Sequence, residues 1–241
     1  MRVDILGITV DTYSMQETVE QIRQAVEGQL QIRVVTANPE MIYASERNVR
    51  IKKLINSADI VTADGIGVVW AARRLGTPGL ERVTGIDLVH TLFPIAHAGK
   101  WRIFFLGGKP GVAEQAANQV VRKNHGITCA VMHGYFSPDD EPGVLEKIRY
   151  FRPDVLLVGL GAPRQEYWLA EHPGLASVSI GVGGSFDALA GIVVRAPKRI
   201  QDLHLEWLYR LWKEPWRWKR QVVLPRFVIK VLWQGFWRKT P

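Results

Sequence analysis

Asp64 stands in the segment Ala63-Asp64-Gly65-Ile66-Gly67, a carboxylate followed closely by two glycines. A carboxylate held on a tight turn can act as a general base that takes a proton from a sugar hydroxyl. Glycines let backbone come close to a ligand, although the same residues also make an ordinary Asp-Gly turn. Thr36 and Asn38, in Thr36-Ala37-Asn38-Pro39-Glu40, offer a hydroxyl and an amide where a strand hands over to a helix. Both residue types cap helices as readily as they bind ligands.

Three glycine-rich stretches complete the set. In Leu106-Gly107-Gly108-Lys109-Pro110-Gly111, free backbone N–H groups ahead of a helix suit a phosphate. The glycines follow neither the dinucleotide-binding spacing nor the Walker pattern, so a tight strand-to-helix turn fits equally well. Gly159-Leu160-Gly161-Ala162-Pro163-Arg164-Gln165-Glu166 and Gly181-Val182-Gly183-Gly184-Ser185-Phe186-Asp187 set Gln165, Glu166 and Asp187 beside permissive backbone. Close strand–helix packing recruits glycine too. Together the loops suggest one crevice of backbone amides, a few polar groups and one carboxylate, which suits a nucleotide diphosphate. No Asp-x-Asp triplet is present to hold a metal, and Asp139-Asp140-Glu141 reads as a helix start. Charge on a leaving group would then need cationic side chains. Arg210, Lys213, Arg217 and Arg220 recur at spacings that share one helical face, if Pro215 permits.

These loops need a frame, and the apolar runs supply one. Strands are expected at Val3–Val10, Ile32–Thr36, Ile60–Val61, Trp101–Leu106, Thr128–Met132, Asp154–Gly159 and Ser177–Val182. Helices are expected from the capping box Ser14-Met15-Gln16-Glu17 to about Gly28, from Pro39, and over Gly111–Asn124. Asp154–Gly159 is apolar on both faces, as a central parallel strand requires. Alternating strands and helices predict an α/β fold with a mostly parallel, Rossmann-like sheet flanked by helices. In such sheets ligands bind outside the carboxyl ends of the strands, where these loops fall. After Arg195 the pattern becomes helical, over Gln201–Glu214 and again over Gln221–Trp237. The chain therefore divides into a core over residues 1–194 and an appendage over residues 195–241.

The appendage carries the charge. It holds 12 Lys and Arg against 3 Asp and Glu, whereas the rest holds 19 against 20. Six of the nine tryptophans lie there as well. Basic residues interleaved with Trp fit an anionic membrane surface better than nucleic acid. In Gln221–Trp237, Arg226 and Lys230, with Arg238 beyond, make a basic stripe on an otherwise apolar helix. The alternative is a helix packed on the core with its charged face in water. The polar N-terminus lacks a signal-peptide pattern. No run reaches the roughly 18 apolar residues that cross a bilayer. The single Cys129 excludes an internal disulfide framework and points to a reducing cytoplasm.

At these residues the chain resembles the WecG/TagA/CpsF family of glycosyltransferases. The markers include the loops above with Glu81-Arg82-Val83-Thr84-Gly85, Gly134-Tyr135-Phe136, Arg195-Ala196-Pro197 and Glu206-Trp207-Leu208-Tyr209-Arg210. The resemblance implies inverting, metal- and cofactor-independent transfer of N-acetylmannosamine, or a related sugar, from a UDP donor. The implied acceptor is polyprenyl-diphosphate-linked N-acetylglucosamine at the cytoplasmic membrane face, in teichoic acid or cell-surface polysaccharide synthesis. Asp64 falls on the family's general base. Thr36, Asn38 and Gln165 fall on its sugar and acceptor pocket. Arg210, Arg217 and Arg220 fall on arginines that close over the diphosphate. The donor is expected against Gly107, Gly108, Gly134, Tyr135, Gly161, Gln165, Glu166 and Gly184. Oligomers off the membrane, giving way to monomers on it, are also implied. A nicotinamide-dependent oxidoreductase is the rival reading, since glycine-rich turns are common to Rossmann-like folds.

Overall fold

A computed structural model of the chain describes residues 1–124, 126–202, 205–213, 218 and 222–237. The chain opens with β1 (Arg2–Ile5) and β2 (Ile8–Asp11), an antiparallel pair in which Ile5 lies opposite Ile8. The continuous strand expected over Val3–Val10 is thus a hairpin. Leu6 and Gly7 both take positive φ, 52° and 82°, which is the backbone of a tight two-residue turn. Leu6 hid the turn, because it continues the apolar run and is not one of the usual turn residues.

Next come α1 (Met15–Glu27), β3 (Ile32–Ala37), α2 (Pro39–Ser45), α3 (Val49–Asn56), β4 (Ile60–Ala63), α4 (Ile66–Arg74) and α5 (Gly85–Ala98). The second half holds β5 (Arg102–Gly107), α6 (Val112–Lys123), β6 (Thr128–Met132), α7 (Glu141–Phe151), β7 (Val155–Gly159), α8 (Arg164–Glu171), β8 (Val178–Gly181) and α9 (Ser185–Leu189). The Ser14 hydroxyl accepts from the Glu17 N–H at 3.1 Å, and the Glu17 carboxylate accepts from the Ser14 N–H at 2.7 Å, so α1 starts on the expected capping box. Strands β3 to β8 form one six-stranded sheet in the order β4-β3-β8-β7-β5-β6. Every pairing within it is parallel.

Helices cover both faces. On one side α1, α5, α6 and α9 bury a cluster around Phe93, Phe105 and Phe186. Each such ring contributes about 1.5–3 kcal/mol relative to leaving it exposed. On the other side the hairpin, α2, α3 and α4 cover the β3–β4 half, and α7 and α8 cover the β5–β7 half.

The segment expected to be one helix over Gln201–Glu214 is two, α10 (Lys198–Asp202) and α11 (Glu206–Lys213). Then α12 (Val223–Trp237) packs across α2 and α4. It turns Phe227, Val231 and Gly235 inward, one residue per turn. Phe227 and Val231 join the same core cluster as the hairpin. The Gln234 side chain accepts from the Leu6 N–H at 2.9 Å and donates to the Asp4 carboxylate at 2.7 Å. Its outer face carries Ile229, Leu232, Trp233, Phe236 and Trp237, all exposed. The helix is therefore packed on the core, but the face it shows to water is largely apolar. No helix among the described residues is long and apolar enough to cross a membrane.

Candidate active site

Strands β3 and β4 are in register with Ala37 opposite Ala63. The residues that follow, Asn38 and Asp64, therefore leave the sheet side by side. The Asp64 N–H donates to the Ala37 carbonyl at 2.8 Å, which extends the ladder one step into the loop. Gly65 takes φ 103°, a conformation that L side chains rarely adopt. It turns the chain into α4 directly behind the carboxylate. A methyl on Gly67 would come within 2.7 Å of the Pro39 ring, so the starts of α2 and α4 pack tightly together.

A second element reaches Asp64 from the side. The Val83 N–H donates to the Ala63 carbonyl at 3.0 Å, and the Thr62 hydroxyl donates to the Val83 carbonyl at 3.1 Å. These bonds pin the lead-in to α5 along the end of β4. Thr84 caps α5, accepting from the Asp87 N–H at 3.2 Å and donating to the Asp87 carboxylate at 2.7 Å. The first helical N–H, on Gly85, then donates to Asp64 Oδ2 at 3.5 Å. A helix N-terminus carries partial positive charge and favours an anion there. A methyl on Gly85 would lie 3.5 Å from Thr36 Oγ1 and 3.6 Å from Ser185 Oγ, which shows how closely these groups converge.

Thr36 and Gln165 stand behind this surface. Thr36 is buried, and its hydroxyl donates to the Gly181 carbonyl at 2.9 Å. Gln165 is only 2% exposed; its carbonyl accepts from the Gly183 N–H at 3.0 Å and its amide donates to Glu166 at 2.7 Å. Any side chain at Gly181 would strike the Gln165 amide. Glu166 is buried too, with Oε2 unpartnered among the described residues. Burial pushes its carboxyl above the usual range, against the pull of the Gln165 hydrogen bond and the Arg33 charge. Asn38 caps α2 by accepting from the Met41 N–H at 2.9 Å, which occupies its carbonyl. Its amide NH2 makes no hydrogen bond among the described residues.

The other glycines line the ends of β5, β6 and β7. The Gly108 N–H donates to the Gly159 carbonyl at 3.1 Å, and the Gly134 N–H donates to the Gly108 carbonyl at 2.9 Å. A methyl on Gly107 would run into the Gly159 backbone, and one on Gly159 would lie 2.9 Å from the Gly183 carbonyl oxygen. These glycines let three loops close on one another. Gly161 takes φ 78° with open space around it, and Gly184 caps α9. Tyr135 is 66% exposed on the rim. Thus Asp64, Asn38 and Thr36 gather at one side of the carboxyl edge, with Gly107, Gly108, Gly134 and Gly161 at the other. Gln165 and Glu166 lie buried beneath the Gly181–Gly184 turn. Arg210 lies on α11, while Arg217 and Arg220 lie outside the described residues. No three His, Cys, Asp or Glu side chains converge as a metal site among the described residues.

One group escaped sequence reasoning. Asp87 accepts from Arg195 at 2.7 Å and faces Arg82 at 3.8 Å. Glu206 faces Arg82 at 3.5 Å and Arg195 at 3.7 Å. Burial pushes the Asp87 carboxyl up, but the hydrogen bonds from Arg195 and Thr84 hold it below its ordinary value. Arg195 and Asp87 alone lie 108 residues apart, so no local spacing links the group.

A carboxylate, an amide and glycine-lined loops meet at the carboxyl edge of a parallel sheet, where such folds bind their ligands, and the chain belongs to the glycosyl transferase WecG/TagA/CpsF family, whose family model matches residues 3–241. Among its relatives is the N-acetylglucosaminyldiphosphoundecaprenol N-acetyl-beta-D-mannosaminyltransferase of Staphylococcus aureus strain MW2, 36% identical over 95% of this chain and 92% of that protein. The protein of the same description from strain NCTC 8325 / PS 47 is 37% identical over the same shares. The nicotinamide-dependent reading finds no support in these relationships.

Proposed function

We propose that the chain transfers N-acetylmannosamine, or a closely related sugar, from a UDP donor to polyprenyl-diphosphate-linked N-acetylglucosamine, with inversion and without a metal. The observation that carries this reading is the Asp64 carboxylate at the end of β4, beside Asn38 and addressed by the Gly85 amide. Asp64 takes the proton from the acceptor hydroxyl, and the oxygen attacks the anomeric carbon from the side opposite UDP. The bond to the diphosphate breaks, and UDP leaves with the electron pair. A single displacement of this kind inverts the anomeric centre. Arg210, Arg217 and Arg220 of the appendage neutralise the departing diphosphate. Asn38 offers its NH2 to a sugar hydroxyl, while Thr36 and Gln165 hold Gly181 and Gly183 in place from behind. Gly107, Gly108, Gly134, Tyr135, Gly161 and Gly184 form the donor side of the crevice.

The appendage also docks the enzyme on an anionic membrane at the cytoplasmic face, where a lipid-linked acceptor resides. The exposed apolar face of α12, exposed Trp207 and Trp212 on α11, and the appendage's excess of cations support this. Oligomers off the membrane remain part of the proposal by resemblance to the family.

The decisive experiment supplies a panel of UDP-sugars with a synthetic lipid-linked acceptor in the presence of EDTA. Transfer of N-acetylmannosamine into a product of inverted configuration supports the reading. A retained configuration, or no transfer from any UDP-sugar, sinks it.

A further inference from the structure

The cluster of Arg82, Asp87, Arg195 and Glu206 has no part in the reaction as written above. It is nevertheless placed to govern it. Asp87 belongs to the first turn of α5, the same turn whose Gly85 amide addresses Asp64. Arg82 precedes that helix, and Arg195 follows α9. Glu206 is the first residue of α11 and is 8% exposed. The four charges alternate: each carboxylate faces both guanidinium groups, and each guanidinium faces both carboxylates. Two positive and two negative charges balance, so the cluster can be buried without a net charge.

The contacts differ in kind. Arg195 to Asp87, at 2.7 Å, is a true hydrogen bond. Glu206 stands 3.5 and 3.7 Å from the two arginines, which is ion-pair distance but beyond good hydrogen-bond geometry. Arg195 Nε and Nη2 are buried and lack hydrogen-bond partners among the described residues. One short hydrogen bond, Arg195 to Asp87, therefore anchors the cluster, and the other three contacts hold at ion-pair distance. Apolar replacements of buried ion networks are often no less stable than the networks themselves. What four alternating charges provide here is a defined placement of one element on another.

We propose that Glu206 is a positioning residue that sets α11 against the active-site edge, with Asp87 and Arg195 as its seat. Through this latch the start of the appendage is referenced to the same helical turn that addresses Asp64. Arg210 occupies the position one turn further along α11 from Glu206. A shift at Glu206 therefore moves the place from which the appendage arginines act. The inference rests on the glycosyl-transfer reading.

The test compares Glu206→Gln, which removes the charge and keeps the shape, with Arg195→Gln and with the double variant. Two readouts are used on the full chain. The first is kcat and donor KM in the transfer assay. Glu206→Gln is expected to lower kcat about tenfold with donor KM changed less than about twofold. The double variant is expected to be little worse than the poorer single one, because both remove the same contact. The second readout is amide hydrogen exchange. Residues 206–213 are expected to exchange about tenfold faster in Glu206→Gln, while α5 and β4 keep their protection. Glu206→Asp, which keeps the charge on a shorter arm, should fall between wild type and Glu206→Gln on both scales. Unchanged exchange over α11, or losses that multiply independently in the double variant, would overturn the latch. A wild-type chain that transfers no sugar would instead overturn the glycosyl-transfer reading, and the exchange data would still decide on Glu206.

Discussion

The Gly85 amide and the Asp64 carboxylate face each other at 3.5 Å across the gap between the α5 N-terminus and the end of β4. The contact is long, and the carboxylate is only half-buried. It thus combines a fixed position with access to solvent and substrate, as a base acting on an incoming hydroxyl requires.

If Asp64 is that base, Asp64→Asn should cost about 10²–10⁴-fold in turnover, the usual contribution of a positioned general base. UDP affinity should stay close to that of the wild type, since the substitution leaves the β5–β7 loops untouched. Product formation and calorimetric titration with UDP check both parts. Near-normal turnover would remove Asp64 from the mechanism.

The two faces of α12 should respond to different assays. Phe227→Ala hollows a core site and should cost about 3–5 kcal/mol, seen as a lower Tm or denaturant midpoint. Trp233→Ser with Trp237→Ser touches only the exposed side and should change stability by no more than about 0.5 kcal/mol per residue. That pair should instead weaken co-sedimentation with anionic liposomes. If sedimentation is unaffected, α12 is not the docking face.

Glycine at 159 should be indispensable for packing. A methyl there would sit 2.9 Å from the Gly183 carbonyl oxygen and 3.0 Å from the Phe186 ring. Gly159→Ala should destabilise the protein by about 1–3 kcal/mol, the usual cost of forcing extra volume into a filled site. Gly143→Ala, where nothing lies within 4 Å, serves as the control in the same melts.

Glu166 makes stability depend on pH in a predictable direction. Its carboxyl is raised above the ordinary value of 4.5 by burial, so the folded state holds a proton that the unfolded chain has released. That contribution is complete below about the unfolded value and is lost as pH rises through the folded one. Glu166→Gln, which keeps an acceptor for the Gln165 amide, should therefore melt higher than the wild type at pH 8. The advantage should shrink as the buffer is acidified. An advantage independent of pH would show that charge burial is not the cause.

Much of the sheet could be read directly. Ile103–Leu106 and Val155–Val158 are apolar at every position, and only a strand covered on both faces needs that. The Leu6–Gly7 turn escaped because an apolar residue occupied a turn position. Asp64, Asn38 and the glycine loops were legible as a group, since each follows a strand of the six-stranded sheet, in which all strands point the same way. Gln165 was harder to place. Its polar neighbourhood was legible, but its burial depends on the missing side chain at Gly181, which makes room for its amide. The Asp87–Arg195 pair could not have been seen at all, because it is made by folding across 108 positions of chain.

The bond between Gln234 and Asp4 has a consequence for how this molecule assembles itself. It joins residues 230 positions apart, and Phe227 and Val231 fill the same cluster as the first two strands. Contacts of such separation form late, because the loop between them must first be closed. The apolar surface formed by the hairpin, α2 and α4 therefore stays open until α12 arrives to cover it. Until then the apolar side chains that α12 covers are open to self-association.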